Sequence, residues 1–186
     1  MPYAAEPFSG YFRRSLSAIG RDDANLQQIN AMIDQQVDTD TIERLVAGYL
    51  DTHTTAQALR RARRDLMMTL AERDISGKAS LDEICRAMTC FAETVTRCAM
   101  HEFGIPRNRD GQPIDLIAVG MGKAGAYELN VSSDLDLIFL YREEGQTDGL
   151  TMTGEPAARK PISAAEFLHK LARATISLLA ETTAEG

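Results

Sequence analysis

Apolar residues recur at helical spacing through residues 1–104, which predicts a run of amphipathic helices. In the segment Thr55–Arg73 the apolar stripe is long enough to bury one complete helix face. A break is expected at Ile75–Lys78, where Ser and Gly interrupt the pattern. The predicted helices are Phe8–Ile19, Ala24–Val37, Thr39 or Asp40 (as the cap) to Leu50, Thr55–Arg73, and Ser80 to about Glu102.

The pattern changes after a turn-rich stretch at residues 104–113. Two short apolar runs, Ile114–Val119 and Leu135–Tyr141, predict strands. Between them, the glycine-rich segment Gly120–Ala126 predicts a turn that opens a short helix. Glu143–Pro161 is polar and carries Gly and Pro, which predicts a flexible loop before a final helix.

This change of pattern predicts two domains and an α+β, mostly helical fold class. Residues 1–110 would form a helical bundle, and residues 111–186 a small sheet with flanking helices. Two of the helices are expected to begin at capping boxes, Ser80 to Glu83 and Ser163 to Glu166, in which each glutamate reaches back to the backbone of its serine.

Asp134 and Asp136 are the strongest candidates for chemistry. Side chains at i and i+2 of a strand point to one face, and two adjacent carboxylates repel each other unless a cation lies between them. Oxygen ligands of this kind suit Mg²⁺ together with substrate phosphates. The apolar run that follows is typical of a strand covered on both faces. We interpret the pair as metal-binding and catalytic; the alternative is two solvated carboxylates at a strand start.

Phosphate-binding groups are expected in the residues that precede Asp134 in the chain. Gly120 and Gly122 would let the backbone approach a nucleotide closely, and Lys123 would neutralise phosphate charge. Ser132 and Ser133 would supply hydrogen-bond donors. The glycine spacing fits neither a Walker A loop nor a dinucleotide-binding fingerprint, so a tight turn with a solvated lysine remains the alternative.

Several other polar residues are given structural interpretations. Asn130 is expected to stabilise its turn by hydrogen bonds. A basic cluster on the fourth helix is interpreted as a solvated face, with a docking patch for an acidic protein as the alternative; it consists of Arg60, Arg61, Arg63 and Arg64. No catalytic role is assigned to His53, His101 or His169. Reduced thiols are expected at Cys85, Cys90 and Cys98.

Composition narrows the function class. Apolar residues make up 44% of the chain and charged residues 25%, as in ordinary globular proteins. The net charge of −7 argues against a nucleic-acid-binding surface, which is normally basic. The sequence has neither a long apolar run nor a signal-peptide pattern, so no membrane partner is expected and a cytoplasmic location is predicted.

The motif Gly120-x-Gly-Lys-x-Gly-x-x-Glu-Leu-Asn-x-Ser-Ser-Asp-x-Asp-Leu-Ile-Phe139 resembles the signature of the glutamine synthetase adenylyltransferase family, also called the glutamate-ammonia-ligase adenylyltransferases. The resemblance extends over residues 55–186 and loosely over the N-terminal helices. It implies a nucleotidyltransferase-type, polymerase-β-like small mixed sheet. It also implies that Asp134 and Asp136 bind metal and that Ser133 contacts the phosphate chain.

Family members are large bifunctional enzymes, so the resemblance implies two possible reactions. One half removes AMP from a glutamine synthetase tyrosine by phosphorolysis, giving ADP; the other attaches AMP from ATP. The implied cofactor is Mg²⁺, with ATP or ADP and phosphate as substrates. The implied partners are glutamine synthetase and, through the full-length enzyme, a PII signalling protein. The beginning and end of this chain are similar to those of the deadenylylating half.

Two departures from the family pattern affect the expected site. The family usually has Gly-Gly where this chain has Gly125, Ala126 and Tyr127, which weakens the case for close nucleotide approach there. The family's third catalytic aspartate lies beyond the position of Gly186. We therefore expect the isolated chain to have little or no activity, and we expect an unpaired sheet edge that favours dimerisation.

Two other functions remain open on the sequence. In the first, the chain is a degenerate nucleotidyltransferase half that acts as a non-catalytic docking or regulatory module, with the basic helix face as its interface. In the second, it is a nucleotidyltransferase of another target, such as a small molecule or an RNA; the acidic net charge of −7 argues against RNA.

Overall fold

The computed structural model describes residues 3–20, 23–142, 144–151 and 161–180. These residues form an α+β structure that is mostly helical, as the sequence predicted. The helices are α1 (Gly10–Ile19), α2 (Asp23–Ile33), α3 (Thr39–Leu50), α4 (Thr55–Ile75), α5 (Leu81–Glu102), α6 (Gly122–Gly125) and α7 (Ala164–Ala180). The strands are β1 (Pro106–Asn108), β2 (Leu116–Gly120), β3 (Leu137–Tyr141) and β4 (Thr147–Thr151).

The chain divides into two compact units within α5. A helical unit holds the described residues of 1–94 together with Tyr127–Ser133. A sheet unit holds Val95–Ala126 and the described residues of 134–181. The predicted domain boundary at residue 110 stays a prediction.

Helix α4 organises the helical unit, because α1, α2 and α3 all pack against it. Its predicted stripe is buried, with Leu59, Leu66 and Leu70 at most 2% exposed. Residues outside this stripe are buried as well, including Met68 and Thr69, each 0% exposed. A helix surrounded by neighbours has to be apolar on more than one stripe or satisfy its polar groups internally.

The buried carboxylate of Asp65 shows how α4 satisfies such a group. It is fully buried and accepts hydrogen bonds from the Tyr49 hydroxyl at 2.5 Å and from Asn25 Nδ2 at 2.7 Å. The guanidinium of Arg64 pairs with its other oxygen at 2.9 Å. This network joins α2, α3 and α4 through one side chain.

The basic cluster is therefore not a solvated face, and that interpretation is wrong. Arg60 is only 9% exposed, Arg61 and Arg64 are half-buried, and Arg63 is the exposed member. The reason is that α4 is covered on several sides, so the aliphatic stems of its arginines lie among neighbouring helices. The docking-patch alternative loses most of its proposed surface for the same reason.

The helix caps agree with the sequence in part. Ser80 Oγ accepts from Glu83 N at 3.2 Å, and Ser163 Oγ accepts from Glu166 N at 3.1 Å. In neither box does the glutamate side chain accept a hydrogen bond from the backbone N–H of its serine, as a full capping box requires. The Glu83 carboxylate pairs with Arg73 instead, and the Glu166 carboxylate pairs with a lysine in the next turn.

Helix α3 is capped by a residue that the sequence did not indicate. Asp38, rather than Thr39 or Asp40, accepts a hydrogen bond from Thr41 N at 2.9 Å. The predicted break after α4 is confirmed, and Gly77 there has a φ of 72°. The three cysteines are free thiols, also as predicted.

The strands form two antiparallel pairs, β1 with β4 and β2 with β3, where a mixed sheet was predicted. Strand β4 lies inside the segment predicted to be a flexible loop; Glu143 and residues 152–160 of that segment lie outside the described residues. Its Thr147 is fully buried and exchanges hydrogen bonds with Ile162. The polar, glycine-bearing sequence of β4 gave no strand signal.

Helix α7 covers one face of the β2–β3 pair. Its Phe167, Leu168 and Leu171 form a core cluster against which Ile114 and Leu116 pack. The other face is exposed, which corrects the expectation that the apolar run after Asp136 is covered on both sides. The exposed apolar residues of this face are Ile117, Val119, Ile138 and Leu140, each between 36% and 49% exposed. In the described part of the chain, no helix combines the length and apolar character needed to cross a membrane.

Replacing Asp65 by Ala is expected to lower the free energy of unfolding by about 3–5 kcal/mol, because Arg64 and Tyr49 would lose a buried charged partner. Urea unfolding of the purified chain measures this. The matched control is Asp74→Ala, which removes an exposed carboxylate from the same helix and should change stability by less than about 0.5 kcal/mol. Equal effects of the two substitutions would contradict the structural role of Asp65.

Tyr49 makes the free energy of unfolding depend on pH, and it falls as the pH rises. Burial, and then the hydrogen bond to Asp65, raise the pKa of the Tyr49 hydroxyl, so the folded state keeps a proton that the unfolded state loses. The stabilisation is fully present below about pH 10 and is lost as pH rises, with a slope of up to about 1.4 kcal/mol per pH unit. Urea unfolding across this range should show a shallower loss of stability in Tyr49→Phe; identical pH profiles would exclude the effect.

Candidate functional site

The register of β2 and β3 places the glycine turn beside the aspartates. Gly120 pairs with Leu137, and Met121 N donates to the Asp136 carbonyl at 2.9 Å, which extends the ladder by one position. The end of β2 and the residues before β3 therefore lie side by side. The sequence predicted these two segments as parts of one site, and the structure brings them together within the sheet unit.

The Asp136 carboxylate lies close to the turn itself. A Cβ placed on Gly122 would be 3.8 Å from Asp136 Oδ2, and Gly122 has a φ of 53°. Gly122 is thus needed for its backbone conformation and leaves open space next to the carboxylate. Lys123, which follows it in α6, is exposed.

The other two glycines have structural reasons of their own. A Cβ on Gly125 would lie 2.7 Å from the Gly120 carbonyl oxygen, and one on Gly120 would lie 3.2 Å from Ala124 Cβ. These glycines allow α6 to pack directly against the end of β2. The tight-turn alternative therefore explains Gly120 and Gly125, and neither glycine requires a ligand to account for it.

Asp134 and Asp136 lie just before β3 rather than within it. Both are exposed, and exposure alternates along the chain through to Leu140, so the two carboxylates point to the same side as the open face of the sheet. Among the described residues, neither carboxylate accepts a hydrogen bond or forms an ion pair. Two such neighbouring anions fit a hard divalent cation such as Mg²⁺.

A cluster of three or more potential metal ligands is not found within residues 3–20, 23–142, 144–151 and 161–180. Asp134 and Asp136 thus have no third His, Cys, Asp or Glu placed to share a metal ion with them among these residues. Holding Mg²⁺ there would also require water or substrate oxygens, which complete its coordination in many proteins.

The turn that carries the two serines is held by Asn130, as predicted. Asn130 Oδ1 accepts from Ser132 N, Ser132 Oγ and Ser133 Oγ, each at 3.0 Å. Ser133 N donates to the Asn130 carbonyl at 3.1 Å. All four donors of the serine pair are therefore used within the turn, and a phosphate would have to replace Asn130 as their acceptor. The predicted phosphate-binding role of Ser132 and Ser133 stays a prediction.

Tyr127 is a further residue of interest near the site. The sequence indicated it only as part of the segment that replaces the glycine pair usual in the family. It has a φ of 59°, and its hydroxyl donates to Glu93 Oε1 at 3.0 Å. This hydrogen bond to a carboxylate raises the pKa of the Tyr127 hydroxyl. The backbone conformation is one that a glycine would adopt without strain.

Comparison with known proteins identifies the family. A sequence model described as glutamate-ammonia ligase adenylyltransferase matches residues 17–186. The chain belongs to this family. The predicted resemblance to this family is thereby confirmed.

Three curated relatives in the glutamate-ammonia ligase adenylyltransferase family carry the name bifunctional glutamine synthetase adenylyltransferase/adenylyl-removing enzyme. The relative from Ralstonia nicotianae is 45% identical over 139 residues, which cover 70% of this chain and 14% of the relative. The one from Burkholderia mallei is 41% identical over 138 residues, with 70% and 14% covered. The one from Nitrosomonas europaea is 35% identical over 193 aligned residues, with 97% and 20% covered. The chain thus spans 14–20% of the length of these relatives.

Substituting Gly125 by Ala is expected to cost about 1–3 kcal/mol in stability, because the new methyl group would meet the Gly120 carbonyl oxygen and α6 would have to move from β2. Thermal and urea unfolding measure this. Gly145→Ala is the control, since a Cβ at Gly145 meets nothing within 4 Å. If Gly125→Ala is as stable as the control, the close packing of α6 does not require a glycine there.

Proposed function

We propose that this chain forms the metal-binding part of a nucleotidyltransferase that acts on glutamine synthetase by removing AMP from a tyrosine. The adenylylating direction, transfer of AMP from ATP to that tyrosine, is the second form of the same proposal. The observation that carries it is the placement of Asp136 beside the Gly122 turn, with Asp134 on the same side, in a member of this family.

The residues fit this chemistry in the following way. Asp134 and Asp136 would hold Mg²⁺, which neutralises charge on a transferring phosphoryl group and orients it. Gly122 leaves room for a phosphate next to the Asp136 carboxylate, and Lys123 is exposed in the same turn, where it would add positive charge. The donors of Ser132 and Ser133 would become available to phosphate when they exchange Asn130 for the new acceptor.

In the deadenylylating direction, an oxygen of inorganic phosphate attacks the phosphorus of the tyrosine-linked AMP. The bond from that phosphorus to the tyrosine oxygen breaks, the phenolate takes up a proton, and the products are ADP and unmodified tyrosine. In the adenylylating direction, the tyrosine oxygen attacks the α-phosphorus of ATP and its hydroxyl proton passes to solvent. The bond from that phosphorus to the oxygen bridging the α- and β-phosphates breaks, and pyrophosphate leaves. Both directions need the same charge neutralisation at the carboxylate pair.

The relatives support glutamine synthetase as the target, since their names state its adenylylation and the removal of adenylyl groups. Control by a PII protein and by glutamine is part of the same proposal. Because the chain spans 14–20% of its relatives, the reaction is best tested in two forms, the isolated chain and a version extended past Gly186, which is called the longer form below.

The test is ADP release from adenylylated glutamine synthetase in the presence of Mg²⁺ and phosphate. We expect release by the longer form, at least about 100-fold slower after Asp134→Asn or Asp136→Asn, because the charge neutralisation would be lost. Asp115→Asn is the control, since Asp115 is an exposed carboxylate that precedes β2 at the other end of the strand pair.

Binding is measured separately on the isolated chain. Mg²⁺ with ADP should raise the melting temperature of the wild type and of Asp115→Asn but not of Asp134→Asn, because only a ligand bound to the folded state stabilises it. Incorporation of AMP from ATP without ADP release would assign the adenylylating direction. Neither reaction, together with no melting shift, would refute the proposal in favour of a docking module.

A further inference from the structure

Tyr127 occupies a backbone conformation that is unfavourable for its side chain. Among the described residues it is the one non-glycine residue with a positive φ, at 59°. A bulky side chain in the left-handed region crowds its own backbone, whereas glycine adopts this conformation freely. Such outliers persist only where the surroundings hold them, and they are concentrated at functional sites.

A hydrogen bond and a buried neighbour in the chain locate Tyr127 within the helical unit. The Tyr127 hydroxyl donates to Glu93 Oε1 on α5 at 3.0 Å. Two residues further along the chain, the Leu129 side chain is buried, at 3% exposure. Tyr127 itself is 48% exposed, so the hydrogen bond at the end of its ring is its specific attachment to α5.

The chain that follows this anchor is the serine turn. Asn130 begins it, and its side-chain and backbone oxygens bind the donors of Ser132 and Ser133. Ser133 is covalently joined to Asp134, so the turn is the last ordered element before the carboxylate pair.

We propose that Glu93 and Tyr127 are positioning residues, which hold the Asn130–Ser133 turn in place for the reaction through their hydrogen bond. The expected effect on the reaction rests on the proposed function. The expected effect on the stability of the turn does not. In this proposal the tyrosine is needed because its hydroxyl reaches Glu93. The hydrogen bond holds a left-handed backbone conformation that a glycine would adopt without any such contact.

Amide hydrogen exchange of the isolated chain tests the structural part. Tyr127→Phe and Glu93→Ala should each speed exchange of the Ser132 and Ser133 amides about 3- to 10-fold, as expected for the loss of one hydrogen bond. Glu93→Gln keeps an acceptor oxygen and should remain close to the wild type. Unchanged exchange in Tyr127→Phe, or equal acceleration in Glu93→Gln and Glu93→Ala, would overturn the proposal.

Tyr141→Phe is a matched control for the loss of a tyrosine hydroxyl. Tyr141 also donates from an exposed position to a glutamate, Glu144, at 2.8 Å, but it lies in the sheet unit. Its substitution should leave exchange at Ser132 and Ser133 unchanged. Acceleration there as large as in Tyr127→Phe would mean that the effect is not specific to the Glu93 contact and would overturn the proposal.

Kinetics of the longer form test the positioning role. Tyr127→Phe should raise KM for phosphate about 3- to 10-fold with kcat within about twofold, because the turn would be held less firmly before phosphate binds. Tyr127→Gly relieves the backbone conformation and should show the same KM effect without a loss of overall stability. A KM equal to the wild type in both variants would overturn the positioning role.

The exchange and kinetic results separate the two proposals. If the longer form releases no ADP, the proposed function fails, while the exchange measurements still decide whether Glu93 and Tyr127 hold the turn. If ADP is released but exchange does not respond to Tyr127→Phe, the function stands and the positioning role fails.

Discussion

The helical unit depends on the burial of α4. Because neighbouring helices pack against several sides of it, α4 has no purely solvated face on which to place its charges. Asp65 meets this constraint by accepting from α2 and α3 as well as from Arg64. Arg73 does the same at the other end, where it donates to the Ile33 carbonyl at 2.7 Å and pairs with Glu83. The polar groups of one helix thus fix the positions of three others.

The sheet unit depends on the register of β2 and β3. Since side chains alternate along a strand, the pairing of Gly120 with Leu137 decides that Asp136 lies beside the Gly122 turn and shares its face with Ile138. A shift by one residue would turn the carboxylates toward α7. Gly120 and Gly125 allow α6 to pack closely against the end of β2, next to this pairing.

The sequence predicted the helices better than it predicted the contacts of their polar side chains. The bounds of α4 and the apolar stripe of α7 follow from periodicity, because one side of each helix must be buried. The glutamates of the predicted capping boxes form ion pairs with Arg73 and Lys170 rather than hydrogen bonds to the backbone of their serines. A charged partner offers a stronger hydrogen bond than a backbone amide does. Burial of the arginines of α4 could not be predicted, because it depends on helices that lie elsewhere in the chain.

The sequence by itself determined the family, because the motif from Gly120 to Phe139 that carries the resemblance is a local property of the chain. It also determined the turn at Asn130, whose side chain bonds within its own few residues. The tertiary structure decided which face of β3 is open and why Tyr127 tolerates a left-handed backbone. Both depend on contacts between residues far apart in sequence, from α7 in the first case and from Glu93 in the second.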